Sequence, residues 1–231
     1  MQIAAILFDK DGTLFDFDAS WGVWARGQLE RLGAGDAALT TRLANAIGFD
    51  LALARFAPSS PVIAGTSEEV ADYLLPHLVG QDRAGLIADL NAAAEDVPLA
   101  SPVDLTACLN GLRARGLRLG VATNDSEATA WSHLRQAGVE TAFDFVAGYD
   151  SGFGAKPEPG PLLAFAREIG IAPAQVAMVG DSRHDLHAAR AAGMRAVAVL
   201  SGPATHADLA PHADVVLPHI GALEHWLDAG I

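Results

Sequence analysis

Ile3-Ala4-Ala5-Ile6-Leu7-Phe8-Asp9-Lys10-Asp11-Gly12-Thr13-Leu14 sets a short apolar run against an abrupt acidic turn. A run of this length, ended by Asp and Gly, suits a strand buried on both faces. Similar runs recur at residues 117–125, 143–149, 176–181, 195–200 and 214–217. Helical patterns separate most of them. One covers residues 102–115, with Ser101 as N-cap and Gly116 just past the end. Others cover residues 127–137, 161–169 and 185–192, each followed by glycine. Strand and helix alternating in this way predict βαβ units and an α/β fold, a Rossmann-like, open parallel sheet.

Residues 16–98 read differently. They carry helical spacing and no convincing strand. Trp21, Trp24 or Ala25, Gln28 or Leu29 and Leu32 share one stripe; Leu39, Leu43 and Ile47 make another. Thr66 and Glu69 fit a capping box, Pro76 ends or kinks the helix that follows, and Asp82 is an N-cap for a stripe of Leu86, Ile87 and Leu90. The expected organisation is a core domain of residues 1–15 and 99–231, with residues 16–98 inserted as a helical domain over the end of the sheet.

The 231 residues are long enough for a sizeable core. A formal net charge of −13 argues against nucleic acid and anionic membrane surfaces as partners. Any phosphate site must then be built locally. The single cysteine, Cys108, excludes an internal disulfide, and the apolar start lacks the preceding basic segment of a secretory signal. A cytoplasmic location is expected.

Polar residues cluster where the predicted strands end. Asp9 and Asp11 repel each other unless a cation or proton intervenes, although Asp-Gly is also an ordinary turn pair. Thr123 and Asn124 offer a hydroxyl, an amide and a backbone N–H to an oxyanion; in the plainer alternative Asn124, Asp125 or Ser126 caps the next helix. Lys156, between Gly154-Ala155 and Pro157, offers a fixed ammonium or is a solvated loop lysine. Gly180 permits close backbone approach, and Asp181 and Asp185 share a face if a helix begins there. Carboxylates of this kind suit Mg²⁺, and they equally suit a helix N-terminus. Each alternative holds for one segment. Four such segments at one sheet edge are harder to explain as turns and caps.

Together the four segments resemble the haloacid dehalogenase superfamily, in particular its phosphatase branch similar to phosphoglycolate phosphatases. Its Asp-x-Asp-Gly-Thr motif matches Asp9 to Thr13, its Thr or Ser at a strand end matches Thr123, its basic residue matches Lys156, and its Gly-Asp-Ser-x-x-Asp motif matches Gly180 to Asp185. The resemblance covers about 150 residues of core; the helical insert corresponds in position to the family's cap. It implies a phosphohydrolase acting on a small-molecule phosphate monoester, of phosphoglycolate or sugar phosphate type. In that scheme Asp9 forms an aspartyl-phosphate and Asp11 is acid and base. Thr123, Asn124 and Lys156 hold the phosphoryl group, and Asp9, Asp11, Asp181 and Asp185 hold Mg²⁺.

Asp11 speaks against dehalogenase and phosphonate chemistry, and Gly12-Thr13 resembles the phosphatases more than the mutases, which usually have Gly-Val. A phosphosugar mutase and a non-catalytic phosphometabolite-binding protein are the alternatives. Two positions depart from the commonest pattern: Lys10, where an apolar residue, Ser or Thr is usual, and Asp125, where many phosphoglycolate phosphatases carry Lys. Lys10 is expected to alter the site's electrostatics or reach the cap interface. Trp21, Trp24, Arg26 and Arg55 are candidates to face the site from the cap, against packing for the tryptophans and solvation for the arginines. The segments near residues 15–19 and 97–102 are expected hinges. Oligomeric state is not legible.

Overall fold

The computed structural model describes residues 2–230; the terminal residues 1 and 231 of the expected core domain lie outside them. In chain order the elements are β1 (Ala5–Phe8), α1 (Phe17–Gly33), α2 (Ala37–Ala46), β2 (Phe49–Asp50), β3 (Arg55–Phe56), α3 (Ser67–Leu74), α4 (Arg83–Ala94), α5 (Leu105–Ala114), β4 (Arg118–Ala122), α6 (Glu127–Gln136), β5 (Phe145–Ala147), α7 (Gly160–Glu168), β6 (Val176–Gly180), α8 (Arg183–Ala192), β7 (Arg195–Val199), α9 (His206–Leu209), β8 (Val215–Leu217) and α10 (Leu223–Ala229).

Six strands form one sheet in the order β5-β4-β1-β6-β7-β8, with every neighbouring pair parallel. Period-2 alternation divides the strand side chains between two cores. Ile6, Phe8, Leu119, Val121, Ala177 and Val179 pack on one face with α5, α6 and α10. Ala5, Leu7, Val176, Met178 and Ala196 pack on the other with α7, α8 and α9. The α/β, Rossmann-like expectation is met. The strand order reverses at β1, so the carboxyl ends of β1, β4 and β6 face one crevice, the usual place for a ligand in such a sheet.

Between β1 and α5 the chain builds a third apolar cluster of its own from α1–α4, including Trp21, Trp24, Leu43, Ile47, Leu74, Leu86 and Leu90. Asp16, Asp36, Thr66 and Asp82 cap these helices through their side chains, with a complete capping box at Thr66 and Glu69. Pro76 lies in a single 3₁₀ turn that closes α3. The pair β2–β3 forms a two-residue antiparallel hairpin that the apolar periodicity did not predict. The chain segments entering and leaving this region run side by side. The Asp16 N–H donates to the Ala100 carbonyl at 2.7 Å, and Ser20 Oγ donates to the Pro98 carbonyl at 2.9 Å.

One helix starts later than expected. Asp104, not Ser101, caps α5, its carboxylate accepting from the Ala107 N–H at 2.9 Å. Val103, just before the cap, packs against the sheet core and fixes the entry of the chain.

Gly120 sits on β4, between Leu7 of β1 and Phe145 of β5. A Cβ there would lie 2.7 Å from Phe165 Cε2 and 3.0 Å from Leu7 Cδ1. Gly120→Ala is therefore expected to destabilise the fold by about 1–3 kcal/mol through overpacking. Urea denaturation checks this: the midpoint should fall with the slope unchanged.

Candidate active site

Three strand ends and one loop converge on the crevice. Asp9 directly follows β1, Thr123 and Asn124 follow β4, and Asp181 follows β6. Asp185 stands on the first turn of α8, where Ser182 and Asp185 form a capping box. Lys156 reaches in from the loop between β5 and α7. Its ammonium donates to Asp9 Oδ1 at 2.6 Å and to Asp185 Oδ1 at 2.7 Å. The other Asp185 oxygen accepts from the Ser182 N–H and Oγ at 3.0 and 2.7 Å, so this carboxylate is both buried and fully engaged.

Asn124 fixes the lysine loop through its side chain. Its Oδ1 accepts from the Lys156 N–H at 2.9 Å, while its Nδ2 donates to the Lys156 and Ala64 carbonyls, both at 2.8 Å. Ala64 belongs to the inserted region, so one amide joins β4, the lysine loop and the helical layer. Thr123 Oγ1 accepts from the Asp125 N–H at 3.1 Å, which leaves its own proton for another partner. Asp181 lies hard against Gly12 and Gly202; a Cβ at either glycine would collide with its carboxylate. Gly12 also adopts φ +77°, a left-handed turn that other residues resist.

Asp9, Asp181 and Asp185 present ligand oxygens within 4.8 Å of one another. Burial, reinforced by the charge of Asp185, pushes the Asp9 carboxyl up to about 7 despite Lys156. Burial also raises Asp181 well above the usual range, with Asp9 and Asp185 adding to it. Lys156 moves the other way: burial disfavours its charge, but Asp185 and Asp9 outweigh that and raise its pKa. Three acids facing one ammonium leave an excess of negative charge. A hard divalent cation with oxygen ligands fits such a donor set.

A second buried ammonium lies beside the first. Lys10 is fully buried, with Nζ donating to the Asp11 carboxylate at 2.6 and 2.8 Å and lying 2.8 Å from Asp125 Oδ2. It is also 2.9 Å from Nδ1 of the buried His133, whose Nε2 lies 2.7 Å from the Ala94 carbonyl at the end of α4. Burial holds the His133 pKa down at about 4, so the ring is neutral. Its Nε2–H then donates to Ala94 and its Nδ1 accepts from Lys10. Asp11, Asp125 and His133 have the spacing of a metal cluster, but the Lys10 ammonium already holds that centre. Burial would raise the Asp11 carboxyl, yet Lys10 outweighs it and leaves Asp11 below the usual value. Asp125 is pushed up to about 7 by burial, with the charge of Asp11 adding to it against Lys10. Neither the Asp125 nor the His133 contribution was read from the sequence; the unusual residues at positions 10 and 125 were the available signal.

The cavity over the site is lined by Asp9, Asp11, Thr123, Asn124, Lys156 and Asp181 on the sheet side. Asp185 is not exposed to it and acts from behind Lys156. The opposite wall comes from the inserted region, with Phe17, Trp21, Trp24, Phe56 and Val62. Both tryptophans thus serve the inserted core and the cavity at once. The candidate arginines do not reach it: Arg26 donates to the Leu51 carbonyl, and the exposed Arg55 lies 3.7 Å from Asp18.

Comparison with known proteins agrees with this arrangement. The family model for haloacid dehalogenase-like hydrolases matches residues 3–193. A phosphoglycolate phosphatase of Nitrosospira multiformis is 30% identical over 203 residues, 87% of this chain and 85% of that protein. A phosphoglycolate phosphatase of Escherichia coli is 42% identical over 94 residues, which take in 41% of this chain and 37% of the relative's own length. Among solved structures, a Bacteroides fragilis protein described as haloacid dehalogenase-like superposes with a TM-score of 0.76 at 24% identity, covering 96% of this chain and all of the other.

The Lys10 cluster makes a direct stability test. Lys10→Met leaves the half-buried Asp11 and Asp125 beside each other without their cation, and should cost about 3 kcal/mol. Adding Asp125→Asn to that variant removes one of the stranded charges and should recover part of the loss. Equilibrium denaturation of the two variants and the native chain measures both effects.

Proposed function

The chain belongs to the haloacid dehalogenase-like hydrolases, and from that premise we propose that it is a magnesium-dependent phosphohydrolase of small phosphate monoesters, working through an aspartyl-phosphate on Asp9. The observation that carries the proposal is Asp9 itself. It is a strand-end carboxylate held at 2.6 Å by a buried ammonium, facing a cavity with a second, separately held carboxylate, Asp11, on its wall.

In this reading an Asp9 oxygen attacks phosphorus in line, and the bond from phosphorus to the leaving oxygen breaks. Asp11 gives that oxygen a proton, then takes one from the water that attacks the acyl phosphate and frees Asp9. Lys10 favours the ionised form of Asp11, which suits the second step. For the first step the proton is supplied from the Asp11–Asp125 pair, whose Asp125 member sits near 7. The Thr123 hydroxyl, the Asn124 backbone N–H and the Lys156 ammonium hold the phosphoryl oxygens. Asp9, the Asp11 carbonyl and Asp181 would hold Mg²⁺, with Asp185 orienting Lys156 beside them. When bound, the ion supplies charge neutralisation for the clustered carboxylates and for a phosphoryl oxygen.

Residues 16–98 are read as a cap and residues 1–15 with 99–231 as the catalytic core. The cap covers the cavity and excludes water, and the paired segments at Asp16–Ala100 and Ser20–Pro98 are its hinge.

Phosphate release from a panel of phosphate esters, with and without Mg²⁺, tests the reading. Asp9→Asn should lower release by about 10³-fold or more while the protein stays folded. Release that survives Asp9→Asn, or does not need a divalent ion, would count against it.

The acidic cluster also predicts how Mg²⁺ and protons compete. The folded carboxyl of Asp9 stands near 7, against its ordinary 3.8. A raised pKa favours the metal-free fold below the unfolded value, and this contribution is lost as pH rises through about 7. Saturating Mg²⁺ should therefore raise the melting temperature clearly at about pH 8 and far less at about pH 5. Differential scanning calorimetry at the two pH values reads the difference, and Asp181→Asn should diminish it.

A further inference from the structure

The wall that faces the leaving group is made of Phe17, Trp21, Trp24, Phe56 and Val62. Trp21 and Trp24 meet edge to face at 5.2 Å, and Phe17 lies 5.9 Å from Phe56, so the wall is a packed aromatic surface. Among the described residues, the only Lys or Arg lining the cavity is Lys156, and its ammonium is already bound by Asp9 and Asp185. Lys10 is taken up by Asp11 and Asp125, Arg26 by the Leu51 carbonyl, and Arg55 stands in solvent beside Asp18. His184 also lines the cavity, where burial disfavours its charged form.

The start of α3 reaches the cavity at Thr66 and Ser67, and an open helix end there would attract an anion. It is closed. The Glu69 carboxylate accepts from the Thr66 N–H at 2.8 Å, and Thr66 Oγ1 accepts from the Glu69 N–H at 3.2 Å. The end already carries its own negative charge. One fully buried polar group of the wall is left open: the nine-tenths-buried Trp21 has an indole N–H without a hydrogen-bond partner. It lines the same cavity as Asp11.

We propose that the leaving group of the substrate is uncharged and mainly apolar, an arylalkyl or branched alkyl alcohol, with its ester oxygen meeting Asp11 and the Trp21 N–H. This deepens the phosphatase reading and rests on it. A carboxylate on the leaving group, as in phosphoglycolate, would be buried against aromatic rings without a cation, which is costly. A polyol would set several hydroxyls against this aromatic wall, more than the Trp21 N–H and the Ser67 hydroxyl can satisfy.

The test compares kcat/KM for benzyl phosphate, isobutyl phosphate, phosphoglycolate, glycerol phosphate and a hexose phosphate at saturating Mg²⁺. All five release an alcohol, so intrinsic leaving ability does not decide the order. Benzyl or isobutyl phosphate should exceed phosphoglycolate by about 100-fold, mostly in KM. Ile63→Lys adds a cation at a half-buried position on the wall and should raise efficiency on phosphoglycolate by about tenfold while lowering it on benzyl phosphate. Should that variant fail to fold by circular dichroism, the native ranking decides alone. Equal or better turnover of phosphoglycolate or a sugar phosphate overturns the proposal and leaves the phosphatase reading standing. Turnover of no ester at all overturns both.

Discussion

The ion pair of Lys156 with Asp9 and Asp185 is the constraint around which the crevice is organised. It ties the end of β1, the first turn of α8 and a glycine-bounded loop to one buried nitrogen. Burying an isolated carboxylate is prohibitive, and two near one point are worse, so these elements converge because a cation is delivered there. Delivery depends on backbone. Asn124 holds the lysine's own N–H and carbonyl, and Ser182 occupies the far oxygen of Asp185. Asp9 is therefore aimed by hydrogen bonds that it does not itself make.

The same device appears twice with opposite results. Lys156 faces three acids and leaves negative charge exposed to the cavity, a setting that calls for a further cation. Lys10 faces two acids and a neutral imidazole and supplies the cation at the centre of its own cluster. One group of carboxylates is short of positive charge; the other is held by its ammonium while Asp11 and Asp125 still line the cavity. The bond to Lys10 also keeps the Asp11 side chain from turning toward Asp9, which separates the two carboxylates that the Asp-x-Asp spacing would otherwise set against each other. Because Lys10 also lies 5.6 Å over the Trp21 ring and His133 reaches the end of α4, this cluster doubles as a contact between sheet and inserted helices.

Much of the sheet was legible because each strand is a short apolar run that stops at polar residues, too short for a helix and alternating with helical patterns. Caps at Thr66 and Asp82 were legible because they are local chemistry. The hairpin at Phe49–Asp50 and Arg55–Phe56 was not, since two residues per strand carry no period. The start of α5 was misread because Ser101 and Asp104 both offer an N-cap, and the choice fell to the packing of Val103. Within the candidate site, residue types and order were readable. The Lys10 cluster was visible only as two odd residues, because His133 joins it through tertiary contact from a helix with an ordinary sequence. The tryptophan stripe was seen as a stripe, but whether it faces a core or a cavity depends on where the helix is placed.

The Lys10 cluster bears on how this sequence is able to change. Replacing Lys10 strands two acids, replacing Asp125 or Asp11 alters the charge balance around a buried ammonium, and replacing His133 removes its neutral acceptor together with the link to Ala94. A relative with an apolar residue at position 10 has no use for an acid at position 125. Drift through single exchanges is thus nearly closed at Lys10, Asp125 and His133, and in descent the three should behave as one heritable character, kept whole or replaced whole.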